Sequence, residues 1–221
     1  MADSTLADAT LDELREALAA ELPAQAAFDG WTPAALDAAA QALGIDADVA
    51  RVAMPGGAVQ MIEAWFAWVD AEMVRRMPPE RVGNMKIRDR ITRLVETRLE
   101  IVAPHKEALR RAAAILAMPQ NAPLAVKLGW RAADRMWRVA GDTATDYNHY
   151  TKRMTLSAVY ASTVTVFLGD ESEDWAETRA FLGRRIENVM QFEKAKARLL
   201  KSPQERLSLS RFIGRLRYPV Q

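Results

Sequence analysis

Two histidines, His105 and His149, are the only imidazoles in this 221-residue chain, and it contains no cysteine. Thiol nucleophiles, disulfides and cysteine-ligated zinc are thereby excluded. A di-iron carboxylate bundle needs paired Glu-x-x-His motifs on facing helices. The nearest approach here is a single Asp146-x-x-His149. Asp146 stands where a helix is expected to begin, so it reads as a capping residue. His105 follows Pro104 at another expected helix start and reads as a surface or capping residue. The MPGGAV segment (54–59) is a turn followed by a helix start, not a phosphate cradle. No nucleophile, base and oxyanion stabiliser come together. The expectation is a non-enzymatic chain with no cofactor.

The elements around these residues are helical throughout. Apolar residues recur at i, i+3 and i+4 between short Pro/Gly breaks, which predicts about ten helices. They are placed at 8–27, 33–43, 46–53, 57–77, 80–102, 105–118, 122–140, 146–168, 173–200 and 204–217. Thr32 before Pro33 is an N-cap followed by an N1 proline, and Gly44 ends that helix. The acids around Asp170 and Ser172 favour a helix start after them. The fold class is all-α. It has a helix-turn-helix head (1–56), a longer helical body (57–200) and a C-terminal amphipathic tail (201–221). That layout is the one seen in TetR-type regulators.

Charge argues against the DNA-binding function of that layout. Residues 24–62 carry one base, Arg51, against Asp29, Asp37, Asp46 and Asp48. Carboxylates beside phosphates are repulsive, and the counterion release that drives binding is missing. Over the whole chain, residues 1–50 hold ten acids and one base, and residues 179–221 hold eleven bases and three acids. An acidic front and a basic end fit either solvated faces or an anionic partner for the tail.

Three segments carry surfaces of interest. Val126, Trp130, Ala133, Trp137 and Ala140 fall within an arc of about 80° on a helical wheel. That stripe suits a packed core or one wall of an apolar cavity. The stretch Leu156 to Leu168 has 13 uncharged residues, which predicts burial on all sides. It would then be a central core helix, a dimer interface, or a wall between core and cavity. Its Ser and Thr hydroxyls can bond back to their own helix. In 204–217, Leu209, Phe212, Ile213 and Leu216 form one stripe, flanked by Arg206 and Arg217 on one side and Arg211 and Arg215 on the other. Such a helix suits an anionic membrane surface, or packing on the protein itself.

The segment VAGDTATDYNHYTKRMTLSAVYAST (139–163) resembles the most characteristic stretch of the ninth protein of the coenzyme Q series, a ubiquinone biosynthesis accessory protein family. VETRLEIVAPH (95–105), ILAMPQNAP (115–123), WAETRAFLGRRI (175–186) and DGWTPAALDAAAQALG (29–44) agree with it in the same order. The resemblance implies a TetR-like fold that does not bind DNA. It implies a cavity for an isoprenoid quinone intermediate or phospholipid, homodimerisation, and association with the di-iron demethoxyubiquinone hydroxylase. Lipid contacts are then expected from Trp130, Trp137, Leu156, Tyr160, Val164 and Phe167. The partner-facing patch maps to Asp134, Met136, Gly141, Asp142, His149 and Tyr150. Animal members carry tryptophan in place of His149. The acidic start shows no leader pattern, so the expected setting is the bacterial cytoplasm, peripheral on the inner membrane.

Overall fold

A computed structural model describes residues 9–143 and 147–200, with side chains placed for 9–143 and 149–192. Ten α-helices run through these residues: α1 (Leu11–Asp29), α2 (Pro33–Ala42), α3 (Ala47–Ala53), α4 (Gly57–Arg76), α5 (Pro79–Val82), α6 (Ile87–Val102), α7 (Lys106–Leu116), α8 (Ala122–Val139), α9 (Tyr147–Gly169) and α10 (Ala176–Leu200). The proposed tail helix, with Arg206, Leu209, Arg211, Phe212, Ile213, Arg215 and Leu216, lies outside the described residues, as does Asp146. The chain divides into two compact units, Met1–Gly183 and Arg184–Gln221. No helix of the described residues is long and apolar enough to cross a membrane.

Helix starts follow local chemistry. Thr10 and Glu13 form a capping box, in which the Thr10 hydroxyl accepts from Glu13 N and the Glu13 carboxylate accepts from Thr10 N. Thr32 caps α2 ahead of Pro33 as expected, and the Asp46 carboxylate accepts from Asp48 N and Val49 N at α3. Gly44 takes φ +67° in the tight turn between α2 and α3, a conformation that favours glycine.

The head and the early body share one core. Trp31 and Trp65 are buried with ring centroids 5.3 Å apart, and Trp31 Nε1 donates to Ala108 O at 3.1 Å. These contacts tie the head to α4 and α7 across 77 residues of sequence.

The structure corrects the sequence reading in three places. The helix expected over 80–102 is two, α5 and α6, separated by residues 83–86. Arg90 accounts for the break. Its guanidinium donates to the carbonyls of Gly83 (2.5 Å), Met85 (2.8 Å) and Ala140 (2.7 Å), which holds the chain in a turn. Second, α9 is not buried on all sides. Leu156, Val159, Thr163 and Phe167 are buried, whereas Met154, Ala158, Ala161 and Thr165 are exposed. Its uncharged sequence therefore covers one core face and one surface face. Third, the α8 stripe runs from core to surface. Ala133 and Ala140 are buried, Trp130 and Trp137 are half-buried, and Val126 is 73% exposed.

Asp170 organises the turn between α9 and α10. Its buried carboxylate accepts from Ser172 N (2.9 Å), Ser172 Oγ (2.5 Å), Thr178 N (2.8 Å) and Thr178 Oγ1 (2.6 Å). Burial pushes this carboxyl up, but the bonds from Ser172 and Thr178 outweigh it and hold its pKa far below the usual range. Just beyond, Asp174 and Trp175 take φ values of 51° and 55°, and the Trp175 ring stands edge-on to Phe167 at 5.3 Å. Lys106 Nζ and Arg110 donate to the Asp170 and Leu168 carbonyls, placing cations at the α9 C-terminus. Asp170→Ala leaves the buried Thr178 amide and hydroxyl, and the half-buried Ser172 amide and hydroxyl, without their acceptor. It is expected to cost about 2–4 kcal/mol in urea unfolding. A loss below about 1 kcal/mol would show that the turn does not depend on this carboxylate.

Candidate functional site

Residues of α8 and α9 carry most of the expected lipid and partner contacts, and the two helices pack against each other along their length. Small residues allow the approach: Ser157 Oγ donates to Gly129 O at 2.9 Å. Further along, Trp137 Nε1 donates to Lys152 O at 3.1 Å, and the Lys152 ammonium lies 5.3 Å from the Trp137 ring centre.

The far end of this seam is held by charge. Arg153 is 2% exposed and donates to Asp134 (2.7 Å), Asp142 (3.1 Å) and the His149 carbonyl (3.1 Å). Arg138 joins Asp134 at 2.7 Å, and Lys152 joins Asp142 at 2.6 Å. Burial pushes both carboxyls up. The bonds to Asp134 from Arg153 and Arg138, and to Asp142 from Lys152 and Arg153, outweigh it and hold both below their ordinary value. Gly141, between these elements, has φ +89°, and a Cβ there would lie 3.4 Å from Arg90 Nη1. A glycine at this point thus serves both the turn and the approach of Arg90.

An aromatic group caps the cluster. Trp130 and Tyr150 have centroids 5.9 Å apart, His149 lies 5.2 Å from Tyr150, and Tyr150 is 59% exposed. Val126 (73% exposed) lies one turn before Trp130 and Met154 (65% exposed) one turn after Tyr150, so α8 and α9 both carry exposed apolar side chains beside this group.

Of the expected partner contacts, the structure brings Asp134, Gly141, Asp142, His149 and Tyr150 to this end of the seam. Met136 is different. It is fully buried, so it supports the patch from the core and does not face a partner. Of the expected lipid contacts, Trp130, Trp137, Tyr160 and Val164 are half-buried, whereas Leu156 and Phe167 belong to the core. Tyr160 covers a second ionic group that the sequence reading missed. Arg98 sits 4.9 Å under its ring, 2% exposed, and is paired with Asp70, whose other oxygen accepts from Arg131 at 2.9 Å. The available signal was Asp70 itself, one of two carboxylates, with Glu72, that α4 places among Trp65, Val69 and Met73.

The other surfaces offer little for catalysis or DNA. Among the described residues, no group of three His, Cys, Asp or Glu is placed to hold a metal ion. His105 is half-buried, and burial lowers its pKa against the opposing pull of Glu21. On the head, Arg51 is paired with Asp37 (2.7 Å) and Asp48 (2.7 Å), while Val49 and Val52 are exposed on α3. A helix that presents acids and valines, with its arginine engaged by carboxylates, is a poor phosphate ligand.

The COQ9 family profile matches residues 122–193, the α8–α9 seam and most of α10. Over 168 residues the chain is 34% identical to the Homo sapiens ubiquinone biosynthesis protein COQ9, mitochondrial, covering 73% of this chain and 52% of that protein. The Rattus norvegicus protein of the same name is also 34% identical, over 73% of this chain and 54% of its own length. The Drosophila melanogaster protein is 28% identical over 84% of this chain and 57% of its own length. The chain thus spans about half the length of the curated relatives it matches. Among solved structures, it matches the crystal structure of the TetR transcriptional regulator from Nitrosomonas europaea ATCC 19718. The TM-score is 0.65 at 22% identity, over 81% of this chain and 99% of that one, a likeness of fold alone. On these matches, and with a TetR-like helical fold, the chain belongs to the COQ9 family.

Proposed function

We propose that the protein is a non-enzymatic, lipid-binding accessory protein of ubiquinone biosynthesis. It presents an isoprenoid quinone intermediate to the di-iron demethoxyubiquinone hydroxylase. The observation that carries this reading is the exposed apolar surface of Val126, Trp130, Tyr150 and Met154, beside the Asp134–Arg153–Asp142 cluster. Neighbouring exposed apolar side chains fit a lipid, a hydrophobic partner or a second copy of the chain. The fixed charges next to it supply orientation for a protein partner. Trp130, Trp137, Tyr160 and Val164 are the side chains proposed to meet lipid. Asp134, Gly141, Asp142, His149 and Tyr150 are those proposed to meet the hydroxylase. The basic tail would hold the assembly on an anionic membrane.

The direct test is to purify the protein natively, extract it with organic solvent and identify the extract by mass spectrometry. A prenyl lipid or phospholipid near one per chain is the expected result. An extract without either overturns the reading.

A further inference from the structure

The turn between α5 and α6 carries a surface that neither catalysis nor the α8–α9 seam uses. Met85 and Ile87 are 37% and 41% exposed, with Lys86 between them and Arg88 next, both also exposed. Arg81 is exposed on the preceding turn. Residues 72–90 hold six bases, Arg75, Arg76, Arg81, Lys86, Arg88 and Arg90, against three acids, Glu72, Glu80 and Asp89. Glu72 is engaged by Arg75 and Arg76, at 2.7 and 2.6 Å, and Asp89 lies 3.7 Å from Arg88.

Exposed apolar side chains on a loose loop would mean little. This turn is built. Met85 N donates to Val82 O at 2.9 Å, Arg90 N donates to Lys86 O at 2.9 Å, and the Arg90 guanidinium accepts the task of satisfying the Gly83 and Met85 carbonyls. These bonds hold the turn in one shape, while Met85 and Ile87 are exposed beside Lys86 and Arg88. The same guanidinium reaches Ala140 O, which fixes the turn beside Gly141 at the end of the α8–α9 seam.

We propose that the α5–α6 turn is a second membrane contact, which seats Met85 and Ile87 in the headgroup region of an anionic bilayer with Arg81, Lys86 and Arg88 on the phosphates. The occupant follows from charge complementarity: a cationic rim around a small apolar tip fits a lipid surface of negative charge. The inference rests on the membrane part of the function proposed above. It adds a contact point outside the basic tail and close to the proposed partner patch.

The chain's lack of cysteine makes the test clean. Single Met85→Cys, Phe212→Cys and Phe28→Cys variants of the full chain are labelled with an environment-sensitive fluorophore. They are mixed with phosphatidylglycerol-containing vesicles or with pure phosphatidylcholine vesicles, and chain binding is followed separately by sedimentation. The expected result is a blue shift at position 85 on the anionic vesicles only, and none at position 28, which sits on the head. Adding Lys86→Glu and Arg88→Glu should weaken vesicle binding at least about tenfold, since each cation near an anionic surface contributes about fivefold. Sedimentation with an unmoved label at position 85 overturns the second contact. If position 212 then shifts, the tail reading stands. No sedimentation overturns both. An equal shift on the neutral vesicles overturns the anionic assignment. Ile87→Cys provides a second labelled site in case the label at position 85 disturbs the turn.

Discussion

Replacing Arg153 with methionine is expected to lower the thermal midpoint by about 10 °C, equivalent to roughly 3–4 kcal/mol for a chain of this size. The side chain is 2% exposed and neutralises two carboxylates at once. Asp134 would keep Arg138, and Asp142 would keep Lys152, both on more exposed partners. That retained pairing sets the loss at the lower end for a broken buried ion pair. The same group makes a pH prediction. Asp134 and Asp142 have folded pKa values below their unfolded value of about 3.9. Their contribution is therefore fully present above that value and is lost as pH falls through the folded values. Melts of the wild type by circular dichroism from about pH 7 to about pH 3 should show this loss, and Arg153→Met should show less of it. Equal acid sensitivity in both proteins would remove Arg153 as the cause. Arg153→Lys retains the charge but reaches fewer acceptors, so it should recover only part of the midpoint. Because Arg153 also donates to the His149 carbonyl, its loss should loosen the start of α9, where the proposed partner contacts lie.

The helices were legible from periodicity and punctuation. Thr32–Pro33, Gly44 and Pro104 act within one turn of their own position, and such signals survive folding. The break at residues 83–86 was not legible, because it depends on Arg90 reaching back seven residues to Gly83 and across to Ala140. The exposure of one face of α9 was hidden for a different reason. Thr163 is buried and Thr165 exposed, yet both hydroxyls bond their own helix, to Val159 O and Ala161 O, so neither residue's type reveals its surroundings. Met136 illustrates the limit of carrying a family's contact residues across by position. A methionine two residues after Asp134 lies on a different side of a helix, about 200° away, and here that side is core. The charges that organise the site, Arg98 and Arg153, come from sequence that reads as ordinary amphipathic helix. Only the approach of α4 to α6, and of α8 to α9, shows that these cations are inside.

Asp70→Leu is expected to cost about 3–5 kcal/mol, because it leaves the Arg98 guanidinium buried without its carboxylate. Burial opposes the charge on Arg98, but Tyr160 and Asp70 more than offset it and raise its pKa well above the ordinary value. A guanidinium is too basic to be deprotonated inside a protein, so Arg98 cannot escape the loss of Asp70 by shedding its proton. Arg131 is less affected. It is 30% exposed and can turn toward Glu63, whose carbonyl it already reaches at 3.1 Å. The double variant Asp70→Leu/Arg98→Met should recover most of the loss, since it removes both buried charges. It also removes the Arg98 Nε–H, a buried donor with no partner among the described residues. Urea unfolding of both single variants and the double variant measures the coupling. A mild Asp70→Leu, or a double variant no better than the worse single, would contradict the buried pair. Recovery of stability need not bring recovery of lipid binding. Arg98 lies under the Tyr160 ring and fixes a side chain proposed to meet lipid. A double variant that folds well but retains less lipid on native purification would assign the pair to positioning Tyr160, and equal lipid content would assign it to holding α4, α6 and α9 together.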